Sequence, residues 1–142
     1  MNMKIYDAEN QILGRISSVI AKELLNGEKI IIVNAEKAVL SANREYLQTH
    51  YTNKYKRGDV FKGPFFPKQP DRILKRTVRG MLPWDRTKGR VAYKNLKVFI
   101  GIPEELKSKQ FEKLKEADAD RLKGKVVSLG EISVALGAKK RW

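Results

Sequence analysis

Apolar and polar positions change rhythm several times along the chain, and each change marks an element. Met3 and Ile5 alternate with Lys4 and Tyr6, a period of two that predicts a first strand. From Leu13 the period becomes helical. Leu13, Ile16, Ile20 and Leu24 share one face, and Gly27 stands where a helix would end. Residues 30–33 (Ile-Ile-Ile-Val) are an unbroken β-branched run, too short for a helix and apolar on both faces. A buried parallel strand has that character. Strand, helix and strand within about thirty residues predict a βαβ unit.

Ala38, Val39 and Leu40 form another short apolar run, and Ser41 can cap a helix over residues 43–54. Gly58, Gly63, Pro64 and Pro67 then break regular structure across residues 55–69. Loops of that length usually carry function. Pro70 and Asp71 suit the start of a helix reaching about residue 82. On it Leu74, Val78, Met81 and Leu82 fall within one arc of about 100°, and Arg72, Lys75, Arg76 and Arg79 within another on the opposite side. One face is therefore expected to pack and the other to present four cations. Pro83 stops this helix, and residues 84–91 read as irregular. Residues 96–102 read as a buried strand ended by Gly101 and Pro103. Glu104 and Glu105 open a charged helix expected to reach about residue 123, anchored by Leu106, Phe111 and Leu114. An extended piece at 126–129 and a short helix at 131–136, closed by Gly137, complete a single α/β domain spanning residues 1–142.

Charge changes this picture from a fold to a partner. The net charge is +14, and it is not spread evenly. Residues 54–97 carry fourteen Lys or Arg against three acids, whereas residues 1–53 carry six of each. Such a block expects a polyanion. A membrane surface would call for an amphipathic helix with a broad apolar outer face or a lipidation signal, and the sequence shows no such signal. No apolar run approaches the ~20 residues of a membrane span, so a soluble cytoplasmic protein is expected. Nucleic acid is the favoured ligand. The candidate contacts are Lys54, Lys56, Arg57, Lys62, Lys68, Arg72, Lys75, Arg76, Arg79, Arg86, Lys88 and Arg90, with the tail cations Lys139, Lys140 and Arg141. Tyr51, Tyr55, Phe61, Phe65, Phe66 and Trp84 interleave with them. Exposed rings can stack on splayed bases, as single-stranded or looped RNA offers. For Phe65, Phe66 and Trp84 a place in the core is an equal alternative.

Catalytic chemistry finds little support. The first strand–helix junction holds a single Gly14, without a dinucleotide or Walker pattern. There is no cysteine, and His50 is the one histidine. Asp118 and Asp120 sit among Lys113, Lys115, Arg121 and Lys123, which favours surface pairing over a metal site. No catalytic, cofactor-binding or metal-ligating residue is therefore assigned.

Three stretches resemble one family. The first holds Asp7, Leu13-Gly14-Arg15, Ala21-Lys22 and Leu24-Leu25-Asn26-Gly27. The second holds Val33-Asn34-Ala35-Glu36 and the Ser41 turn. The third is Arg79-Gly80-Met81-Leu82-Pro83, followed by Gly89 and by residues 96–103. Together they resemble the large-ribosomal-subunit protein L-13 family in its archaeal form, and the Leu-Gly-Glu-Ile string at 129–132 fits that form. The resemblance implies a non-catalytic ribosomal protein that binds large-subunit rRNA and supports assembly, with neighbouring ribosomal proteins as partners and no cofactor. It also implies a three-layer α/β/α fold around a mainly parallel four-stranded sheet. A free RNA-binding regulator or assembly factor, and less readily an RNA-modifying enzyme, remain as alternatives.

Overall fold

The computed structural model describes residues 3–142. Its centre is a parallel sheet in the order β1 (Met3–Asp7), β2 (Lys29–Val33), β4 (Leu96–Val98). A separate two-stranded antiparallel sheet pairs β3 (Val39–Leu40) with β5 (Val127–Ser128). The helices are α1 (Leu13–Leu25), α2 (Arg44–Lys56), α3 (Pro70–Arg79), α4 (Thr87–Lys94) and α5 (Leu129–Ala135).

β2 is apolar on both faces because it is the central strand. Ile30 and Ile32 point into the larger core with Tyr6, Leu96, the stripe Leu13, Ile16, Ile20 and Leu24 of α1, and Ile73, Leu74 and Val78 of α3. Ile31 and Val33 point the other way, against Ile5, Phe99, Ile102, Leu106 and Phe111. The outer layer on that second face is thin. A single 3₁₀ turn, Glu104–Leu106, and the irregular chain beside it cover it.

The expected fourth sheet strand is absent among the described residues. On the outer side of β1 stands a one-residue bridge, in which Glu112 pairs with Tyr6. That bridge explains a second correction. Residues 104–123 are not a helix but three 3₁₀ turns joined by irregular chain. Their backbone groups are taken up elsewhere. Glu112 N–H donates to Ile5, its carbonyl accepts from Asp7, Ile12 N–H donates to the Ala117 carbonyl, and Ala119 N–H donates to Asn10. Leu114 N–H donates to the buried Gln11 side chain. An unpaired strand edge needs covering, and this segment covers it. Leu106, Phe111 and Leu114 still anchor it, without helical spacing.

Two further expectations change near Pro83. Residues 87–94, read as irregular up to residue 91, form α4. Gly89 hid that helix, because glycine weakens helical propensity. Here it permits a close approach: a Cβ on Gly89 would lie 2.2 Å from the Pro83 carbonyl oxygen. On α3 the helix ends at Arg79, so Met81 leaves the helical period and is exposed, while Ile73 takes a place in the packed face. The strand expected over residues 96–102 stops at Val98, although Phe99 N–H still donates to Ile32.

Candidate nucleic-acid interface

Open α/β sheets usually bind ligands beyond the carboxyl ends of their strands. Here the chain itself ties that edge together and leaves only a small cleft of about 160 Å³ beyond β1, lined by Glu9, Asn10, Gln11 and Asp118 among others. Buried Asp7 accepts hydrogen bonds from the Asn34 side chain and from Glu9 N–H, both at 2.9 Å. Asn34 adopts a left-handed conformation (φ 57°), and its N–H donates to Gly101. Buried Glu36 accepts from Gly101 N–H at 3.0 Å. Asp7, Asn34 and Glu36, three of the residues carrying the family resemblance, thus tie the ends of β1, β2 and β4 together. Asp118 and Asp120 turn toward the Asn10 amide, at 3.3 and 3.0 Å. No group of three or more potential metal ligands occurs among the described residues.

The cations gather elsewhere. Leu47 and Tyr51 pin α2 to the core, so its last turn presents Lys54 and Lys56 outward, followed by exposed Arg57. Residues 59–63 form a tight hairpin closed by reciprocal Asp59 and Gly63 backbone bonds at 3.1 Å. Lys62 sits exposed at its tip. Lys68 precedes α3, and its carbonyl accepts a hydrogen bond from the Ser133 hydroxyl of α5. On α3, Arg72 is exposed and Lys75, Arg76 and Arg79 are half-buried, all on the side away from Ile73, Leu74 and Val78.

Two clefts open along this surface. One, of about 460 Å³, is lined by Lys54, Arg57, Phe66, Arg76, Arg79 and Trp84, among others. The second, of about 670 Å³, is lined by Lys56, Arg57, Phe65, Phe66, Lys68 and Arg72, among others. Arg57, Pro64 and Phe66 border both and form the ridge between them.

The charges on this surface are held but not neutralised. Among the described residues, no Lys or Arg from 54 to 97 lies within 4.0 Å of a carboxylate; the paired cations are Lys4, Lys37, Arg44 and Lys113. Four block cations rest on aromatic rings instead. Arg79 lies 4.3 Å from the Trp84 ring centre, Lys68 4.7 Å from Tyr55, Lys75 4.8 Å from Tyr93, and Lys54 5.6 Å from Tyr51. A ring face attracts a cation and fixes its place, but leaves its full charge available to a ligand. Tyr51, Tyr55, Trp84 and Tyr93 thus act as supports. Trp84 also meets Tyr93 edge-on at 5.1 Å, and its carbonyl accepts from Arg90 Nε at 3.0 Å.

Not every candidate joins the clefts. Arg86 and Lys88 are exposed at the start of α4, outside both linings. Lys139, Lys140 and Arg141 are exposed on a tail whose last residue, Trp142, rests against Gly130. Lys94 and Lys97, also in the basic block, lie at the opposite end of the sheet, where they share a small cleft with Lys29. That second patch was not legible in the sequence. Lys29 meets Lys94 and Lys97 only because β4 pairs beside β2.

The sequence matches the family described as Ribosomal protein L13 over residues 1–105. The chain belongs to that family. Among its curated relatives is large ribosomal subunit protein uL13 of Archaeoglobus fulgidus, 52% identical over 94% of this chain and 86% of the relative. The proteins of the same name from Methanosarcina barkeri and Methanopyrus kandleri are 49% and 44% identical, over 96% and 94% of this chain and 99% and 86% of their own lengths. The family match takes in β1 to β4 and the whole basic block. The alignments with the archaeal L13 proteins extend the likeness through most of the remaining chain. Arg79-Gly80-Met81-Leu82-Pro83 proves to be the corner between α3 and α4, braced by Gly89 and Trp84. Arg79, Gly80 and Leu82 of this string line the smaller cleft.

Proposed function

We propose that this chain is a structural constituent of the large ribosomal subunit, acting in the cytoplasm, that binds large-subunit rRNA and supports subunit assembly. The observation that carries the reading is the pair of cation-lined clefts whose charges have no internal carboxylate partner. Like-charged side chains held on one face repel each other, and a polyanion relieves that repulsion. Two clefts divided by a ridge suit two RNA segments. Lys54, Arg76 and Arg79 would meet phosphates of one, Lys56, Lys68 and Arg72 those of the other, and Arg57 on the ridge either. The clamp offsets the repulsion between the phosphates it brings together. Lys62, Lys75, Arg86, Lys88, Arg90 and the tail cations Lys139, Lys140 and Arg141 would extend the basic surface around it. Neighbouring large-subunit proteins are the expected protein partners. The tied carboxyl edge of the sheet supports a binding role over an enzymatic one.

Co-sedimentation tests this reading. The tagged chain should remain with large subunits through a high-salt wash, and the Arg72→Glu, Arg76→Glu, Arg79→Glu triple variant should be lost from them. Release of the unaltered chain by the same wash would point to a free RNA-binding regulator.

A further inference from the structure

The aromatic residues of the basic block divide into two groups. Tyr51 is buried, Phe66 packs against the core and against Tyr51, and Trp84 is engaged by Arg79 and Tyr93. Phe61 and Phe65 are different. They are 89% and 65% exposed, and neither has an aromatic or cationic partner among the described residues. Phe61 sits on the hairpin closed between Asp59 and Gly63, and Phe65 beside it. One edge of the Phe65 ring lies close to Gly63, where a Cβ would come within 3.0 Å of its Cδ2 and Cε2 atoms. Phe65 lines the 670 Å³ cleft together with Lys56, Arg57, Lys68 and Arg72, four cations against a single acid, Asp59.

An exposed ring in a cation-lined cleft matches one chemistry. An unpaired nucleotide within a strand brings a flat π-face for the ring and a phosphate on either side for the neighbouring cations. Duplex RNA cannot supply this, because its bases are stacked inside the helix. An apolar protein surface would match Val60, Phe61 and Phe65, but it would also bury the cations around them without partners, which is costly. We propose that the cleft between the hairpin and the start of α3 takes one unpaired nucleotide of RNA, its base on the open part of the Phe65 ring and its two flanking phosphates among Arg57, Lys68 and Arg72. Phe61, at the hairpin tip, offers a ring to a neighbouring base. This inference rests on the RNA-binding reading above and names the RNA element that the larger cleft selects.

The test compares a mixed-sequence single-stranded RNA 20-mer with the duplex of the same sequence. Binding is read by fluorescence anisotropy at one salt concentration, with the full chain and its Phe65→Leu and Phe65→Tyr variants. The unaltered chain should prefer the single strand. Phe65→Leu keeps an apolar side chain but removes the ring, and should weaken single-strand binding roughly tenfold while leaving duplex binding unchanged. Phe65→Tyr should retain the preference. Because Phe65 is mostly exposed, thermal melting of both variants should match the unaltered chain. Equal single-strand binding by Phe65→Leu and the unaltered chain, or an equal loss on both RNAs, overturns the nucleotide cleft and leaves the RNA-binding reading standing. Failure of the unaltered chain to bind either RNA removes that reading and this inference together.

Discussion

The carboxyl edge of the sheet and the face built by α2, the hairpin and α3 both crowd polar groups together, but they treat them in opposite ways. At the sheet edge Asp7, Asn34 and Glu36 are buried, and each polar group named there has a partner from another strand end. Burial demands this, since an unpaired polar group there costs about 1–3 kcal/mol. On the basic face the cations have ring supports or open solvent and no carboxylate. The first arrangement narrows a place where α/β proteins often bind small molecules. The second leaves charge unspent for something outside the chain. The candidate interface therefore lies where pairing is missing, not where polar residues are densest.

The sharpest way to break the comparison is to reverse the unspent charge. Arg72→Glu, Arg76→Glu and Arg79→Glu together should weaken binding to a large-subunit rRNA transcript at least a hundredfold at ~150 mM salt, or about 3 kcal/mol. The slope of log affinity against log salt should fall by about three, one for each lost phosphate contact. The melting temperature should move by only a few degrees, because relief of repulsion offsets the lost contact between Arg79 and Trp84. Unchanged affinity and slope would remove α3 from the interface.

The converse change is Asn34→Leu. It leaves Asp7 without its 2.9 Å donor and forces a branched residue into a left-handed backbone. Urea denaturation should show a loss of about 2 kcal/mol. The salt slope of RNA binding should not change. A parallel loss of slope would mean that the two regions are not independent.

A smaller effect is expected at Tyr6, whose hydroxyl donates to the Glu23 carboxylate at 2.7 Å. Burial, and then that hydrogen bond, raise its pKa above the ordinary 10.0. The stability it contributes is complete below pH 10 and is lost as pH rises from there through the raised value. Tyr6→Phe should cost about 1 kcal/mol at neutral pH and lessen the alkaline loss, as measured by denaturation at pH 8 and pH 11.

The smallest effect concerns a cation that already has a carboxylate. Arg44 pairs with Glu131 at 2.8 Å on an exposed surface. Arg44→Ala should change stability by less than about 0.5 kcal/mol, and RNA affinity by less than any cleft cation does. A larger loss of affinity would show that pairing does not mark the boundary of the interface.

Elements with a strong local rhythm are legible in the sequence alone. The stripe of α1 and the all-apolar β2 stand where their periods put them, because burial of those faces follows from spacing a few residues apart. The segment after Glu105 misleads because its charged composition is compatible with a helix, whereas its backbone is claimed by the edge of β1 and the turn after it. Phe65, Phe66 and Trp84 cannot be separated by composition or spacing, since all three lie in the same kind of basic and aromatic sequence.

What the chain settled by itself was its class, the packing of Leu74 and Val78 on α3, and the concentration of charge in residues 54–97. These are sums or short-range periods, and they need no knowledge of what lies across the molecule. Tertiary structure decided which cations go without a carboxylate, which rings stay open, and that Lys29 joins Lys94 and Lys97. Each of those depends on residues distant in sequence meeting in space, and it is the packing of β2, α2, α3 and α4 that brings them together.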